Sequence, residues 1–243
     1  MKLSSLLALM ALIATPVDGV DPPKIVSASP DFWAANVNST LKTVTLAFDQ
    51  PMRAGFSDWF GKGVLVPDSN SKTATSDDRR TFSLDVNLKP GSVYILGLNE
   101  RGLSGVGFQN EKASSLQPAF LVFQTAGTPA PADSPPAVVG TIPTNGALQV
   151  DPSKTKTVTI IFDRPMDPKK HGLQLYENKN AVDVTSAKFQ YSADGRTFVI
   201  SYDFKSSTPY EVVLNSVQNI GFTSATSIPL WPVRMSFSTS QPQ

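Results

Sequence analysis

The chain has 243 residues, 40% hydrophobic and 17% charged, with a formal net charge of +1, which is a globular composition long enough for two domains of ordinary size. The absence of cysteine excludes disulfides, thiolate nucleophiles, cysteine-zinc sites and a lipidated N-terminal cysteine. Residues 20–127 carry ten basic against ten acidic side chains and residues 134–243 ten against eight, so neither half has the concentrated basic field that nucleic acid or an anionic membrane requires.

The chain opens with the marks of a secretory signal peptide over residues 1–19. Lys2 supplies a minimal positive region, Leu3 to Ile13 a short apolar run, and Val17-Asp18-Gly19 small residues for cleavage. That run is too short to cross a bilayer, which needs about 20 residues. The expectation is an exported protein, periplasmic, secreted or at the cell surface, with no stable membrane insertion once the signal is removed. A disulfide-free export fits a bacterial envelope better than a small eukaryotic ectodomain.

From Pro22 onward the chain is read as two copies of one module, 20–126 and 135–240. Lys42-Thr43-Val44-Thr45-Leu46-Ala47-Phe48-Asp49-Gln50-Pro51-Met52 returns 114 residues later as Lys156-Thr157-Val158-Thr159-Ile160-Ile161-Phe162-Asp163-Arg164-Pro165-Met166. That period is the size of a domain, far longer than a solenoid unit. Pro22-Pro23-Lys24-Ile25-Val26 matches Pro135-Pro136-Ala137-Val138-Val139, and Phe123-Gln124-Thr125 matches Phe237-Ser238-Thr239. In the first copy Val44, Leu46 and Phe48 point one way and Thr43, Thr45 and Ala47 the other, and further alternating runs are Phe82, Leu84, Val86 and Leu88, then Tyr94, Leu96 and Leu98, then Ala119, Leu121 and Phe123. Period-two alternation predicts strands with one buried face. Ala126 to Pro135 carries alternate prolines, which predicts an extended, semi-rigid linker over 127–134 holding the modules apart. The second copy repeats the strands at Val158, Ile160 and Phe162, then Phe198, Ile200, Tyr202 and Phe204, then Tyr210, Val212 and Leu214, then Val233, Met235 and Phe237. Asp194-Gly195 predicts a two-residue hairpin turn. Both Phe-Asp-x-Pro-Met segments end a strand: Phe faces inward, Asp can accept bonds from the next backbone amides, and Pro cannot donate to a ladder. Met52 and Met166 then plug the core as adaptable fillers. The fold class is therefore all-β, two tandem immunoglobulin-like antiparallel sandwiches after a signal peptide.

These residues, from the Pro-Pro start through Phe-Asp-x-Pro-Met, the Thr-Phe strand and the Tyr strand to the closing Phe-x-Thr, resemble the bacterial Ig-like domain of the type found in S-layer proteins, over nearly all of the mature chain, twice. The resemblance implies architecture more strongly than activity, since such domains serve mostly as spacers, adhesive modules or carriers. Both copies depart from the family after the Tyr strand, where Asn99-Glu100-Arg101-Gly102 and Asn215-Ser216-Val217-Gln218-Asn219 replace the usual Asp-x-x-Gly-Asn.

No residue set amounts to catalytic machinery, and no cofactor or metal is implied. The single histidine, His171, sits in Asp167-Pro168-Lys169-Lys170-His171-Gly172 without a nucleophile motif; a hydrolase centred on it is the remote alternative to an exposed loop histidine. His171, Met166 and Met235 are too few donors for copper or zinc. Asp77, Asp78, Asp163 and Asp167 could offer oxygens to calcium but lack the density of a dedicated loop. The functional clue lies in what the copies do not share. Against Pro143-Thr144-Asn145-Gly146 the first copy has Pro30-Asp31-Phe32-Trp33, and it adds Phe56-Ser57-Asp58-Trp59-Phe60. Phe32, Trp33, Phe56, Trp59 and Phe60 are candidate binding residues for a glycan or a protein of the cell envelope, because aromatic faces bring contact area at low entropic cost. The competing expectation is that they close the end of the first sandwich or pack against the second module. Trp231 is the one comparable residue in the second copy.

Overall fold

The computed structural model describes residues 21–55, 57, 59–60, 65–99 and 107–241, without the side chains of 60 and 70–72. The signal peptide expected over 1–19 and Phe56 lie outside the described residues.

The chain is all-β. The N-terminal half contributes β1 (Ile25–Ser29), β2 (Ala34–Val37), β3 (Thr43–Phe48), β4 (Trp59–Phe60), β5 (Asp68–Thr75), β6 (Thr81–Asn87), β7 (Val93–Leu98) and β8 (Ala119–Thr125). The C-terminal half contributes β9 (Val138–Ile142), β10 (Ala147–Val150), β11 (Thr157–Phe162), β12 (Leu173–Glu177), β13 (Asn180–Ala181), β14 (Lys188–Tyr191), β15 (Thr197–Ser201), β16 (Pro209–Leu214) and β17 (Val233–Thr239). They form four sheets, ordered β1-β3-β6-β5 and β2-β8-β7-β4 in the first half, β9-β11-β15-β14 and β10-β17-β16-β12-β13 in the second. The strand orders correspond one to one apart from β13, an added edge hairpin on β12. All pairings are antiparallel except β2 with β8 and β10 with β17, which are parallel.

The alternation in sequence becomes the core directly. β3 and β11 share one burial pattern, with Val44, Leu46 and Phe48 and then Val158, Ile160 and Phe162 fully inside. Each half closes its own apolar cluster from both of its sheets. The strand ends are fixed by paired polar devices. Asp49 N donates to Lys24 O at 3.0 Å and Asp49 Oδ1 accepts from Lys24 N at 2.9 Å; Asp163 makes the same two bonds with Ala137 at 3.0 and 2.9 Å. The hydroxyls of Tyr94 and Tyr210 accept the Lys89 and Lys205 amides, both at 2.7 Å. Asn99, at φ 53°, donates through Nδ2 to the Phe108 and Leu116 carbonyls at 2.8 and 3.1 Å and accepts from Phe108 N. Asn215, at φ 55°, serves Phe222 and Leu230 in the same way at 2.9 and 2.7 Å. A buried asparagine thus pairs one backbone amide and one carbonyl of its loop and adds a second bond to the Phe108 or Phe222 carbonyl, which the Leu116 or Leu230 amide also reaches at 2.9 Å.

Two expectations are corrected. The Asp194-Gly195 turn is longer than two residues: the ladder ends at Tyr191 opposite Phe198, and Ser192 N bonds Thr197 O at 2.9 Å. Ser192 Oγ donates to Asp194 and accepts the Thr197 amide, so the side chain widens the turn. The segment between the halves is not an extended spacer throughout. Pro131–Asp133 forms a 3-10 turn, and the Arg164 guanidinium donates to Pro131 O, Ser134 O and Ser134 Oγ at 2.9, 2.9 and 3.0 Å. The proline-rich stretch is therefore braced against the second half, and the two halves touch.

Candidate functional site

The first half's loop Pro30–Trp33 and the second half's Pro143–Gly146 have the same backbone form. Trp33 has φ 63° and Gly146 φ 83°. Trp33 N donates to Val122 O at 2.6 Å as Gly146 N donates to Ser236 O at 2.7 Å. Glycine takes this left-handed conformation freely, whereas a residue with a Cβ loses about 1–2 kcal/mol there. Such a conformation in a bulky residue persists only where its surroundings hold it. The surroundings are the other half of the chain: the indoles of Trp33 and Trp231 meet edge to face, with centroids 5.6 Å apart and planes at 68°. Trp231 Nε1 donates to Trp33 O at 2.8 Å.

Around this pair lies a third apolar cluster, spanning both halves. Val93, Val122 and Ile228 are buried, with Trp33, Ile95, Phe120, Ile220 and Trp231 packed on them. Val93, Ile95, Phe120 and Val122 occupy the outer face of β7 and β8, opposite to Tyr94, Leu96, Leu121 and Phe123 of the core. At the equivalent places of β16 and β17 the chain has Pro209, Glu211, Arg234 and Ser236, and Glu211 pairs with Arg234 at 2.6 Å. Only the first half therefore presents an apolar outer sheet face, and the second half covers it. A backbone bond joins them too. β2 begins at Ala34, opposite Phe123, which leaves the start of β8 unpaired on that edge; there Phe120 N donates to Val217 O at 2.7 Å. Val217 also packs on the first half's core, and Thr226 Oγ1 donates to Ala132 O at 3.0 Å.

Beside the junction is a cleft of about 640 Å³, walled by Pro22, Pro23, Lys24, Ile25, Phe32, Trp33, Leu116, Gln117 and Ala119 from one half and by Val213, Asn215–Gln218, Pro232 and Arg234 from the other. It contains two cationic side chains and no carboxylate. Arg234 is engaged by Glu211, while the Lys24 ammonium has no partner among the described residues. The corresponding groove of the second half, about 520 Å³, has Ala137 where this cleft has Lys24 and Asn145 where it has Phe32.

Of the aromatic candidates, Phe32 and Trp33 meet in this cleft. Trp59 lies elsewhere: in β4 opposite Leu98, it packs edge to face on Phe108 at 5.3 Å and 80°. Its Nε1, like that of Trp33, is buried without a hydrogen bond among the described residues. Phe60 pairs with Gly97 through its backbone. His171 is exposed, its ring against Phe189 at 4.7 Å and Phe198 at 5.5 Å, and partial burial lowers its pKa. No hydrogen bond reaches the imidazole among the described residues. Met166 and Met235 are core residues. Of the carboxylates weighed for calcium, Asp78 has its pKa lowered by hydrogen bonds from Ser76 and the Arg80 amide, Asp163 by the Arg164 guanidinium, and Asp167 accepts the Lys169 amide at 3.0 Å. Among the described residues no group of three or more histidines, cysteines or acids could hold a metal ion. The junction residues Val93, Ile95, Phe120 and Val122 were not among the sequence candidates. Their signal was available, as apolar side chains on both faces of two strands whose counterparts are apolar on one.

The model of the bacterial Ig-like domain family matches residues 132–239. Similar solved structures include Ig tandems of titin. The titin I-band fragment I67-I69 is 11% identical over 91% of this chain and 66% of its own, with a TM-score of 0.30. The titin Ig tandem A164-A165 is 11% identical over 91% of this chain and 98% of its own, with a TM-score of 0.27, and Rst D1-D2 is 9% identical over 90% and 100%, with a TM-score of 0.27. No curated protein matches the sequence. The C-terminal half of this chain is thus similar in sequence to the bacterial Ig-like domain.

Proposed function

We propose that the chain is a non-catalytic, exported protein of two Ig-like modules, both of the bacterial S-layer type, with a structural, adhesive or interaction role at the cell envelope. The observation that carries this reading is the junction. Its apolar cluster, the Trp33–Trp231 contact and the Phe120–Val217 bond hold two sandwiches in one fixed arrangement, and a rigid two-module unit is what a spacer or a displayed interaction module needs. The polar side chains serve the same end, since Asn99, Asn215, Tyr94 and Tyr210 bond the protein's own backbone. A hydrolase centred on His171 has no comparable support, because its imidazole leans on phenylalanines.

Cell fractionation of a C-terminally tagged chain, with intact-mass analysis, tests the reading. The expected product is outside the cytoplasm and begins near Val20. A full-length product retained in the cytoplasm would refute it. Binding of an envelope polysaccharide through the first module is a second reading, favoured by Phe32 and Trp33 lining one cleft.

A further inference from the structure

We infer that the junction cleft is a binding site for a short acidic oligosaccharide, one carrying uronate carboxylates, an inference that rests on the envelope role proposed above and gives it a ligand class. Phe32 and Trp33 supply ring faces for the apolar C–H faces of a sugar, and the edge-to-face packing of Trp33 on Trp231 fixes the indole in place. Gln117 from one half and Ser216 and Gln218 from the other line the cleft with amide and hydroxyl groups able to both donate and accept, which suits sugar hydroxyls. Lys24 supplies the charge. Its ammonium has no protein partner among the described residues, and no carboxylate lines the cleft to compete with a ligand's own. The volume of about 640 Å³ lies within the range of small-ligand sites, which favour the boundaries between packed units.

The second half's groove, walled by that half alone and lined by Trp231, lacks a cation: Ala137 stands for Lys24, Asn145 for Phe32 and Gly146 for Trp33. The second half folds the same loop without them, so the loop's backbone form does not require them; Phe32 also packs on the first half's core and Trp33 on Trp231. They line the cleft that the two halves wall together.

The test is isothermal titration of the mature chain with trigalacturonate and with the neutral maltotriose, repeated with Lys24→Glu and Phe32→Ala. Circular dichroism verifies the fold of each, and the exposed Lys24 keeps the test informative if Phe32→Ala unfolds. The expected result is binding of trigalacturonate, weakened about tenfold or more by Lys24→Glu and by a rise in salt from 50 to 500 mM, with maltotriose at least about tenfold weaker. Absence of trigalacturonate binding, equal affinity for maltotriose, no effect of Lys24→Glu, or displacement of the sugar by dodecanoate at lower concentration would each overturn the inference. These failures leave the envelope role standing, since fractionation tests that role separately.

Discussion

Replacing Trp33 by glycine, the residue at its counterpart Gly146, sets two effects of opposite sign against each other. The backbone gains, because glycine relieves a left-handed conformation that costs a side-chain-bearing residue about 1–2 kcal/mol. The junction loses the indole. Truncating a fully buried aromatic costs about 3–5 kcal/mol, which we reduce to about 2–3 for the half-buried Trp33, and the edge-to-face pair with Trp231 adds about 0.5–1.5 kcal/mol. Glycine's extra freedom in the unfolded chain removes about 0.5–1 kcal/mol more. Packing outweighs strain, for a net loss of about 2–4 kcal/mol, and that loss falls on the contact between the halves and spares the core of each. Differential scanning calorimetry should therefore give one cooperative transition for the wild-type chain and two resolved transitions for Trp33→Gly. A single transition in the variant at or above the wild-type temperature would refute the reasoning, since strain relief would then have dominated and the junction would contribute nothing.

Other substitutions probe the supports of the junction. Asn215→Ala leaves the Phe222 amide and the Leu230 carbonyl unpaired in a buried place, while the Phe222 carbonyl keeps the Leu230 amide, and urea denaturation should report a loss of about 2–4 kcal/mol. Gly221→Ala would set a Cβ 2.3 Å from the His171 carbonyl carbon; the His171–Gly172 backbone and the loop carrying Val217 must then move apart, and the Trp fluorescence of the folded protein should change with it. The lowered pKa of His171 predicts a small pH effect with a definite sign. The unfolded imidazole takes up a proton more readily, so stability falls as pH drops through about 6.5 and below, and His171→Gln should flatten that slope in urea midpoints measured between pH 7.5 and 5.

Much of the fold is legible in the sequence because burial is periodic. Val44-Thr45-Leu46-Ala47-Phe48 can form a half-buried strand in one register only, and its return at Val158–Phe162 carries the same instruction. β5 is not legible, since Asp68–Thr75 is polar on both faces and becomes a strand only because β6 offers it an edge. β2 and β10 are equally silent: each is four residues long and joins its sheet by a parallel pairing with the distant β8 or β17. At the site, subtracting one half from the other finds Phe32 and Trp33 but assigns them no setting, because the setting depends on Trp231, 198 residues away from Trp33. The apolar outer face of β7 and β8 was readable in Val93, Ile95, Phe120 and Val122 once Pro209, Glu211, Arg234 and Ser236 were set beside them. The reading of the proline-rich stretch as an extended spacer failed because local chain stiffness says nothing about whether the flanking sandwiches have faces that fit.

The Phe120 amide measures the docking of the two halves most directly, because its acceptor, the Val217 carbonyl, belongs to the other half. In residue-resolved hydrogen exchange on the intact chain, docked halves predict that Phe120 N–H is protected to the same order as the ladder amides of β8. Exchange of Phe120 at the rate of an exposed peptide, with the rest of β8 protected, would mean that the halves are not held together.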